Sequence, residues 1–254
     1  MCRLTKQPFH ASSFDQEFWE FGAPELLERA ADLAAKSHLY DAIVVDEGQD
    51  FRELWWIGLE KLFRNPDRIG PLYVFYDPKQ TIYQIQTAIP AGLGSPYVLP
   101  TNCRNAQRIV TFCAEIVDIP PFAHEDAPLG VVPRIHESQN SGDTVRKTQQ
   151  IVQDWCLRDR GGLRYNQVAV LTPTVNPRNW PERFGNIPIV TDQATWREGA
   201  GVLLDTHRRF KGLEADAIVL AGVPEPGSTE YYSQFDHYVA ASRAKHLLEI
   251  IFLR

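Results

Sequence analysis

The stretch that decides the fold lies at residues 40–50 and reads YDAIVVDEGQD. An uninterrupted apolar run of this kind predicts a strand over residues 42–46, buried on both faces within a parallel sheet. In open α/β sheets, ligands bind beyond the carboxyl ends of the strands. The adjacent carboxylates Asp46 and Glu47 therefore lie where chemistry is expected. The alternative interpretation is an acidic loop after a core strand, with no catalytic role.

Helical and strand-like patterns alternate on both sides of this stretch. Pro24, followed by apolar residues at helical spacing, predicts a helix over residues 24–38. Further segments follow the same two patterns, with helices predicted over residues 106–117, 144–157 and 234–245, and strands over residues 72–76, 168–171, 202–204, 217–221 and 247–253. This alternation predicts an α/β fold with mainly parallel sheets. Pro- and Gly-containing stretches at residues 89–100 and 119–130 are predicted linkers, and we place a lobe boundary near Leu99.

The composition is that of a globular protein. The chain has 254 residues, 44% hydrophobic and 23% charged, enough for one large domain or two lobes. No apolar run reaches the roughly 18 residues of a membrane helix, and no secretory signal begins the chain, which predicts a cytoplasmic protein with no membrane partner. The four cysteines lack paired spacing, which favours reduced thiols over a zinc site or disulfides. A net charge of −6 predicts that any nucleic-acid contact comes from a local basic groove.

Taken in order, the polar clusters at the predicted strand ends resemble the later signature motifs of superfamily 1 DNA helicases of the UvrD/Rep type. The resemblance extends over about residues 40–250. Residues 44–50, VVDEGQD, resemble the Walker B motif in its DExxD form. The resemblance implies that Asp46 holds Mg²⁺ and that Glu47 activates the attacking water during ATP hydrolysis, while Asp50 orients its neighbours.

Residues 76–83, YDPKQTIY, resemble the next motif of that family. The resemblance implies that Gln80 senses the γ-phosphate and that Tyr83 contacts single-stranded DNA. The family usually has glycine at the position of Tyr76 and an aromatic residue followed by Arg-Gly after Tyr83, whereas this chain has Ile-Gln-Thr at residues 85–87. Stacking of a base on an aromatic ring contributes roughly 1–3 kcal/mol, so a lost aromatic platform weakens the grip on DNA. The alternative for this segment is an ordinary capped turn.

Two motifs in the second half of the chain supply cationic candidates. Residues 99–105, LPTNCRN, resemble the motif that opens the second lobe, which implies that Arg104 contacts the γ-phosphate. Residues 204–214, LDTHRRFKGLE, resemble the THxxKGLE motif with one extra residue, which implies that Glu214 contacts the nucleotide. The same motif implies a DNA-contacting group with local positive charge, made of Thr206, His207, Arg208, Arg209 and Lys211. The alternative is a solvated basic turn.

The last motif is carried by residues 238–245, YVAASRAK. The resemblance implies that Arg243 is a second arginine finger, and the permanent charge and planar fork of a guanidinium suit phosphate oxygens. On a helix, Val239, Arg243 and Leu247 would share a face. The spacing therefore predicts that Arg243 is half-buried beside apolar neighbours.

The resemblance implies two RecA-like lobes of the P-loop NTPase type, with ATP and Mg²⁺ between them and single-stranded DNA as a partner. However, the sequence contains no GxxxxGK[ST] run, whose backbone N–H groups cradle the phosphates. We therefore expect residues 1–98 to form an incomplete first lobe with an open sheet edge, and residues 99–254 to form the second lobe. The chain is expected to be the C-terminal part of a minimal helicase, with the P-loop on an N-terminal segment or a partner chain.

Two other functions remain open, because a nucleotide-binding fold alone does not fix a function. The first is a non-catalytic remnant that binds DNA or a protein partner, favoured by the absent P-loop and the changed residues after Tyr83. The second is an unrelated metal-dependent nuclease that uses Asp46, Glu47 and Asp50. The nuclease alternative leaves the arginines of the later motifs without a role.

Overall fold

A computed structural model describes residues 17–65, 67, 69–78, 88–157, 162–174 and 179–254. Two predicted site residues, Gln80 and Tyr83, lie outside this range. The chain divides into two compact units, Met1–Val98 and Leu99–Arg254. Both units combine helices with parallel strands, so the predicted α/β class with mainly parallel pairing is confirmed. Within the described part of the chain, no helix combines the length and apolarity needed to span a membrane.

The first unit contains a two-stranded parallel sheet in its described residues. Strand β1 (Ile43–Val45) pairs with β2 (Leu72–Val74). Helix α1 (Ala23–Leu33) has proline in its first turn and buries an apolar face, and it is followed along the chain by α2 (Glu53–Glu60). The two helices pack closely, because a Cβ added at Gly58 of α2 would lie 3.1 Å from a side-chain carbon of α1.

Two predictions for the first unit are wrong in part. Helix α1 ends at Leu33 rather than near residue 38, because Ala34 adopts extended backbone and a single 3₁₀ turn, Lys36–His38, follows. Strand β1 is not buried on both faces: Val44 is 64% exposed, and Tyr73 opposite it is 59% exposed. Successive side chains of a strand point to opposite faces, so one covering layer buries only alternate residues.

The second unit is built on a seven-stranded sheet in its described residues, with the strand order β3-β9-β8-β4-β7-β6-β5. All neighbouring strands are parallel except the β5–β6 hairpin. The strands are β3 (Arg134–Ser138), β4 (Val168–Thr172), β5 (Arg183–Phe184), β6 (Ile187–Val190), β7 (Val202–Thr206), β8 (Ala215–Val223) and β9 (Ala244–Leu253). The predicted strands β4, β7, β8 and β9 are therefore confirmed. Strands β3, β5 and β6 were not predicted.

Helices cover both faces of this sheet, which gives a three-layer core. Helix α3 (Gln107–Ile116) and helix α6 (Gln234–Ala241) pack on one face, and α4 (Ser141–Cys156) packs on the other. A short helix, α5 (Gln193–Arg197), precedes β7. Helix α6 begins at a capping box in which Ser233 Oγ accepts from the Asp236 backbone N–H and the Asp236 carboxylate accepts from the Ser233 backbone N–H.

The predicted helix over residues 234–245 is wrong at its C-terminal end. Helix α6 ends at Ala241 and β9 already begins at Ala244. Arg243 therefore lies in the turn between them, and Leu247 lies on a strand rather than on a shared helical face. The physical reason is that β9 is a central strand, paired with both β3 and β8, so its apolar residues are more stable in the sheet.

Because the strands are parallel, their carboxyl ends lie together on one side of the sheet and their amino ends on the other. We call these two sides the carboxyl edge and the amino edge, as distinct from the edge strands. The carboxyl edge contains the ends of β4 and β7, where Thr172 lies opposite Thr206. The amino edge contains the starts of β8 and β9, where Ala215 lies opposite Ala244 and the Ala215 backbone N–H donates to the Arg243 carbonyl. The segment that connects β7 to β8, residues 206–214, therefore runs from the carboxyl edge to the amino edge.

Candidate functional site

The predicted acid pair of the first unit directly follows β1. Asp46 is exposed and Glu47 is partly buried. Glu47 has φ 55° and ψ 40°, a left-handed conformation that non-glycine residues rarely adopt. Its backbone N–H donates to Asp46 Oδ1 at 2.9 Å. Residues held in such conformations cluster at functional sites, where the surrounding structure enforces them.

A buried glutamine orients the turn after β1, residues 46–50, which we call the acid turn. Gln49 is 0% exposed, its Nε2 donates to Glu47 Oε2 at 2.5 Å, and its Oε1 accepts from the Asp77 backbone N–H at 3.0 Å. The amide therefore ties the turn after β1 to the turn after β2. Gly48 permits this close packing, because a Cβ there would lie 2.4 Å from Val74 Cγ1. No role was predicted for Gln49, although it lies inside the Walker B-like motif.

The oxygen ligands of the acid turn suit a magnesium ion that is also bound by substrate phosphates, rather than a metal ion held by protein side chains alone. Mg²⁺ is usually held by one or two carboxylates together with water and substrate phosphates. The exposed carboxylate of Asp46 fits that role. Across the described ranges, no group of three or more His, Cys, Asp or Glu side chains is arranged to hold a metal ion. This arrangement gives no support to a nuclease site made of Asp46, Glu47 and Asp50.

Three predicted motifs of the second unit meet at the amino edge. Arg104 Nε lies 3.1 Å from Glu214 Oε2, and Lys245 Nζ lies 2.5 Å from Glu214 Oε1. All three side chains are between 33% and 45% exposed. We call Arg104, Glu214 and Lys245 the amino-edge triad. Its two cations and one carboxylate carry a net positive charge at a solvent-accessible surface, which suits an anionic ligand.

Two asparagines hold the triad in place. The Asn102 carboxamide oxygen accepts from the backbone N–H groups of Arg104 at 2.9 Å and Asn105 at 3.0 Å. Asn105 is 3% exposed, and its Nδ2 donates to the carbonyl oxygens of Ser242 at 2.8 Å and Ala244 at 2.6 Å. Residues 102–105, which we call the NCRN turn, are thus hydrogen-bonded to the turn that carries Arg243. Asn105 and Lys245 both lie within the predicted motifs, but no role was predicted for either residue.

Arg243 is enclosed in the core rather than half-buried. It is 2% exposed, and its Nε donates to the Val239 carbonyl at 3.2 Å. Its charge also acts on the Cys113 thiol of α3: burial raises the pKa of Cys113 to about 12, and Arg243 partly opposes that rise. The predicted half-buried position of Arg243 is therefore wrong, because the turn between α6 and the central strand β9 places it inside the core. Its side chain would have to rotate outward to reach a nucleotide.

The predicted DNA-contacting residues lie at or just beyond the carboxyl edge. Thr206 is partly exposed, and its Oγ1 accepts from the Arg209 backbone N–H at 3.2 Å. Arg208 and Arg209 are exposed, whereas Lys211 is partly buried. His207 is 2% exposed, with Nε2 lying 2.9 Å from Asp236 Oδ1. His207 therefore offers no exposed ring to a DNA backbone, and the exposed cations of this group are the two arginines.

The motif at residues 206–214 consequently contributes to two separate places. Thr206 lies level with the carboxyl end of β8, and Glu214 precedes its first residue. At about 3.3 Å per residue, the two positions are about 20 Å apart along the strand direction. The predicted DNA-contacting residues and the predicted nucleotide-contacting residues of the second unit thus lie at opposite edges of one sheet.

The chain has weak sequence similarity to known proteins. No protein-family model matches the chain. The chain is 29% identical over 115 residues to the RecBCD enzyme subunit RecB of Chlamydia muridarum (strain MoPn / Nigg), a match that covers 41% of this chain and 11% of that protein. It is 30% identical over 93 residues to RecB of Chlamydia trachomatis serovar D, covering 33% of this chain and 9% of that protein. The matches thus span about a tenth of the length of these relatives.

Among solved structures, the C-terminal domain of a possible DNA helicase from Lactobacillus plantarum WCFS1 aligns with 60% of this chain and 88% of its own. The identity is 18% and the TM-score is 0.40. The strand pairing of the chain itself defines its class, an α/β protein with a mostly parallel sheet in its second unit. Its sequence is weakly homologous to RecB.

Proposed function

We propose that the chain is the later part of an ATP-dependent DNA helicase of superfamily 1, of the UvrD/Rep type, and that its two units are RecA-like lobes. The observation that carries this proposal is the amino-edge triad. Arg104, Glu214 and Lys245 come from three motifs that are far apart in the sequence, yet their side chains form one charged group. The order of the motifs and the similarity to RecB support the same proposal.

The acid turn of the first unit would serve the hydrolytic step. Bound Mg²⁺-ATP would supply the scissile phosphate and the metal charge. The exposed carboxylate of Asp46 would hold the ion, and Glu47 would accept a proton from the attacking water. Gln49 would orient the Glu47 carboxylate through the hydrogen bond to Oε2. We propose Gln80, from the following motif, as the sensor of the γ-phosphate.

The triad of the second unit would bind the phosphates of the nucleotide. Arg104 and Lys245 would bind phosphate oxygens, because charge stabilisation is the main contribution of protein to phosphoryl transfer. Glu214 would then release Arg104 and Lys245 and contact the nucleotide instead. Arg243 is proposed as a second arginine finger, which requires its guanidinium to leave the Val239 carbonyl.

This sequence contains no GxxxxGK[ST] run, so it does not supply the loop that cradles the phosphates. We propose that an N-terminal segment or a partner chain provides it. Among the described residues, the two-stranded sheet of the first unit has no third strand on either edge, which suits the addition of further strands. The chain alone should therefore hydrolyse ATP negligibly.

Single-stranded DNA is the proposed polymer partner of the carboxyl edge. Thr206, Arg208 and Lys211 would contact its backbone, and Tyr83 would contact a base. The chain carries a net charge of −6, so this contact depends on the local cations rather than on the whole surface. Because its ring is buried, we propose that His207 does not contact the DNA and instead supports this surface through its hydrogen bond with Asp236.

A second candidate is a non-catalytic module that binds DNA without turning over nucleotide. The enclosed guanidinium of Arg243 and the neutralisation of Arg104 and Lys245 by Glu214 favour it. The two candidates differ in what happens when a P-loop is supplied. A motor should gain nucleotide binding and turnover, whereas a module should gain neither.

The deciding experiment is calorimetric binding of Mg²⁺-ATP to the chain, alone and with an added N-terminal segment that carries the P-loop. We expect negligible binding alone, binding with the segment, and turnover that Arg104→Gln removes. Arg146→Gln is the matched control, because it removes the same charge from an exposed arginine that pairs with Asp143 on α4, outside the proposed nucleotide and DNA contacts. DNA-stimulated turnover by the chain alone, abolished by Glu47→Gln, would contradict the requirement for a supplied P-loop.

A further inference from the structure

A buried hydrogen-bond network joins the carboxyl edge to helix α6. His207 Nε2 lies 2.9 Å from Asp236 Oδ1, and His207 Nδ1 lies 3.3 Å from the Thr172 carbonyl oxygen. The Ser233 hydroxyl and backbone N–H donate to Asp236 Oδ2 at 2.7 and 2.9 Å. Burial alone would raise the pKa of Asp236, but the donors from His207, Ser233 and Arg208 outweigh burial and hold it well below its usual range. Asp236 is therefore a charged residue that is 1% exposed.

Arg208 is the exposed member of this network. Its side chain is 42% exposed, its Nε donates to Asp236 Oδ1 at 3.2 Å, and its Nη2 donates to the Tyr231 carbonyl at 3.2 Å. A phosphate at the carboxyl edge would compete with Asp236 for this guanidinium, because arginine binds both anions through the same planar fork. The neighbouring Arg209 is 64% exposed and pairs instead with Asp205 of β7 at 3.4 Å.

Helix α6 connects this network to the amino edge. Asp236 lies in its first turn, and its last turn leads directly into residues 242–245. The eight residues of the helix span about 12 Å. Val239 and the two alanines that follow it are 0% exposed, and Asn105 holds the carbonyl of the residue after the helix. Closely packed elements of this kind shift as bodies between discrete arrangements rather than deforming continuously.

We propose that Arg208 and Asp236 are positioning residues, through which a phosphate bound at the carboxyl edge shifts helix α6 and thereby resets Arg243 and Lys245 at the amino edge. This inference rests on the proposed function, because it requires DNA at the carboxyl edge. The capping box between Ser233 and Asp236 remains after Arg208 has turned to the phosphate. The helix therefore stays folded while its position changes.

The test is amide hydrogen exchange of the whole chain with and without a saturating single-stranded oligothymidylate. In the wild type, exchange across residues 242–246 should change about fivefold or more, the lower range of a typical coupling between sites. Arg208→Gln should abolish this change at saturating oligonucleotide. Arg146→Gln is the matched control, because it removes the same charge from another exposed arginine that pairs with an aspartate, outside this network and outside the DNA-contacting group, and it should retain the change.

A second variant guards against misfolding of the first. Asp236→Asn keeps the side-chain shape but removes the anion that holds Arg208, and it too should abolish the change. If the wild type binds no oligonucleotide, the proposed DNA contact fails and the coupling fails with it. If the wild type binds but residues 242–246 do not respond, the coupling alone is overturned. A normal response in either folded variant would also overturn it.

Discussion

Arg104 Nε and Glu214 Oε2 lie 3.1 Å apart at the amino edge of the second unit, where the other oxygen of Glu214 binds Lys245. Glu214 therefore neutralises part of the charge that would attract a phosphate. Exposed pairs of this kind contribute only about 0–1 kcal/mol to stability. The pair is thus better suited to exchanging partners than to holding the fold together.

Glu214→Gln should raise the affinity of the chain for tripolyphosphate. Removal of one negative charge about 4 Å from a bound anion is equivalent to about 1 kcal/mol in water, or about fivefold in affinity. Arg104→Gln should lower the affinity by a similar factor. Equilibrium binding at low ionic strength provides the measurement. An unchanged or weakened affinity in Glu214→Gln would contradict a phosphate site at the triad.

Asn105→Ala should destabilise the second unit. The substitution removes two buried hydrogen bonds and leaves the carbonyls of Ser242 and Ala244 without that donor, which costs about 2–3 kcal/mol. Arg104→Ala is the matched control, because this neighbour in the same turn is 45% exposed and should cost less than about 1 kcal/mol. Urea unfolding measures both. Equal losses in the two variants would show that Asn105 does not fasten the turns.

Glu47→Gly should be more stable than Glu47→Ala, although both variants remove the carboxylate that accepts from Gln49. Glycine adopts the left-handed conformation observed at Glu47 at little cost, so the difference is expected to be about 1 kcal/mol. Because the two variants lose the same hydrogen bond, that loss cancels in the comparison. The measurement is the urea midpoint, monitored by tryptophan fluorescence. An alanine variant as stable as the glycine variant would count against a strained turn at Glu47.

His237 should make the second unit less stable as the pH falls. Burial, and then the nearby His207, lower the pKa of His237 from 6.5 to about 4. The unfolded chain therefore binds a proton that the folded chain does not. The contribution of His237 is fully present above about pH 6.5 and is lost as the pH falls to about 4, amounting to up to about 3 kcal/mol.

The matched variant for this pH effect is His237→Phe, which keeps a ring beside Phe112 and Phe252 but cannot titrate. It loses the hydrogen bond with the Tyr232 hydroxyl, so it should be less stable than the wild type at neutral pH. Its stability should nevertheless depend less on pH between 6.5 and 4. Parallel pH profiles for the two proteins would contradict a neutral buried His237.

The central sheet was predictable because its strands are buried throughout. Every residue of β4 is buried, and such strands appear in the sequence as apolar runs. Strand β3, with the sequence RIHES, lies at the sheet edge and exposes most of its residues, so its pattern is polar and was missed. The end of α6 was misplaced because the apolar residues that follow it fit a helix and a strand equally well in isolation.

The site was predictable only as a set of separate motifs. The resemblance named Arg104 and Glu214, but no spacing in the sequence indicates that a single carboxylate joins Arg104 to Lys245. The supporting residues Gln49 and Asn105 were missed because their roles depend on hydrogen bonds between turns that are distant in the sequence. The burial of His207 depends on Asp236, a residue outside every motif given a role.

The central claim is that the amino-edge triad is part of a nucleotide site. The most direct measurement is protection of Cys103, which is exposed beside Arg104, from alkylation by a maleimide. In a Cys2→Ser background, Mg²⁺-ATP supplied together with the P-loop segment should slow the alkylation of Cys103 and leave that of Cys156, at the end of α4, unchanged. Equal alkylation rates at Cys103 with and without the nucleotide, when the segment is present, would contradict the claim.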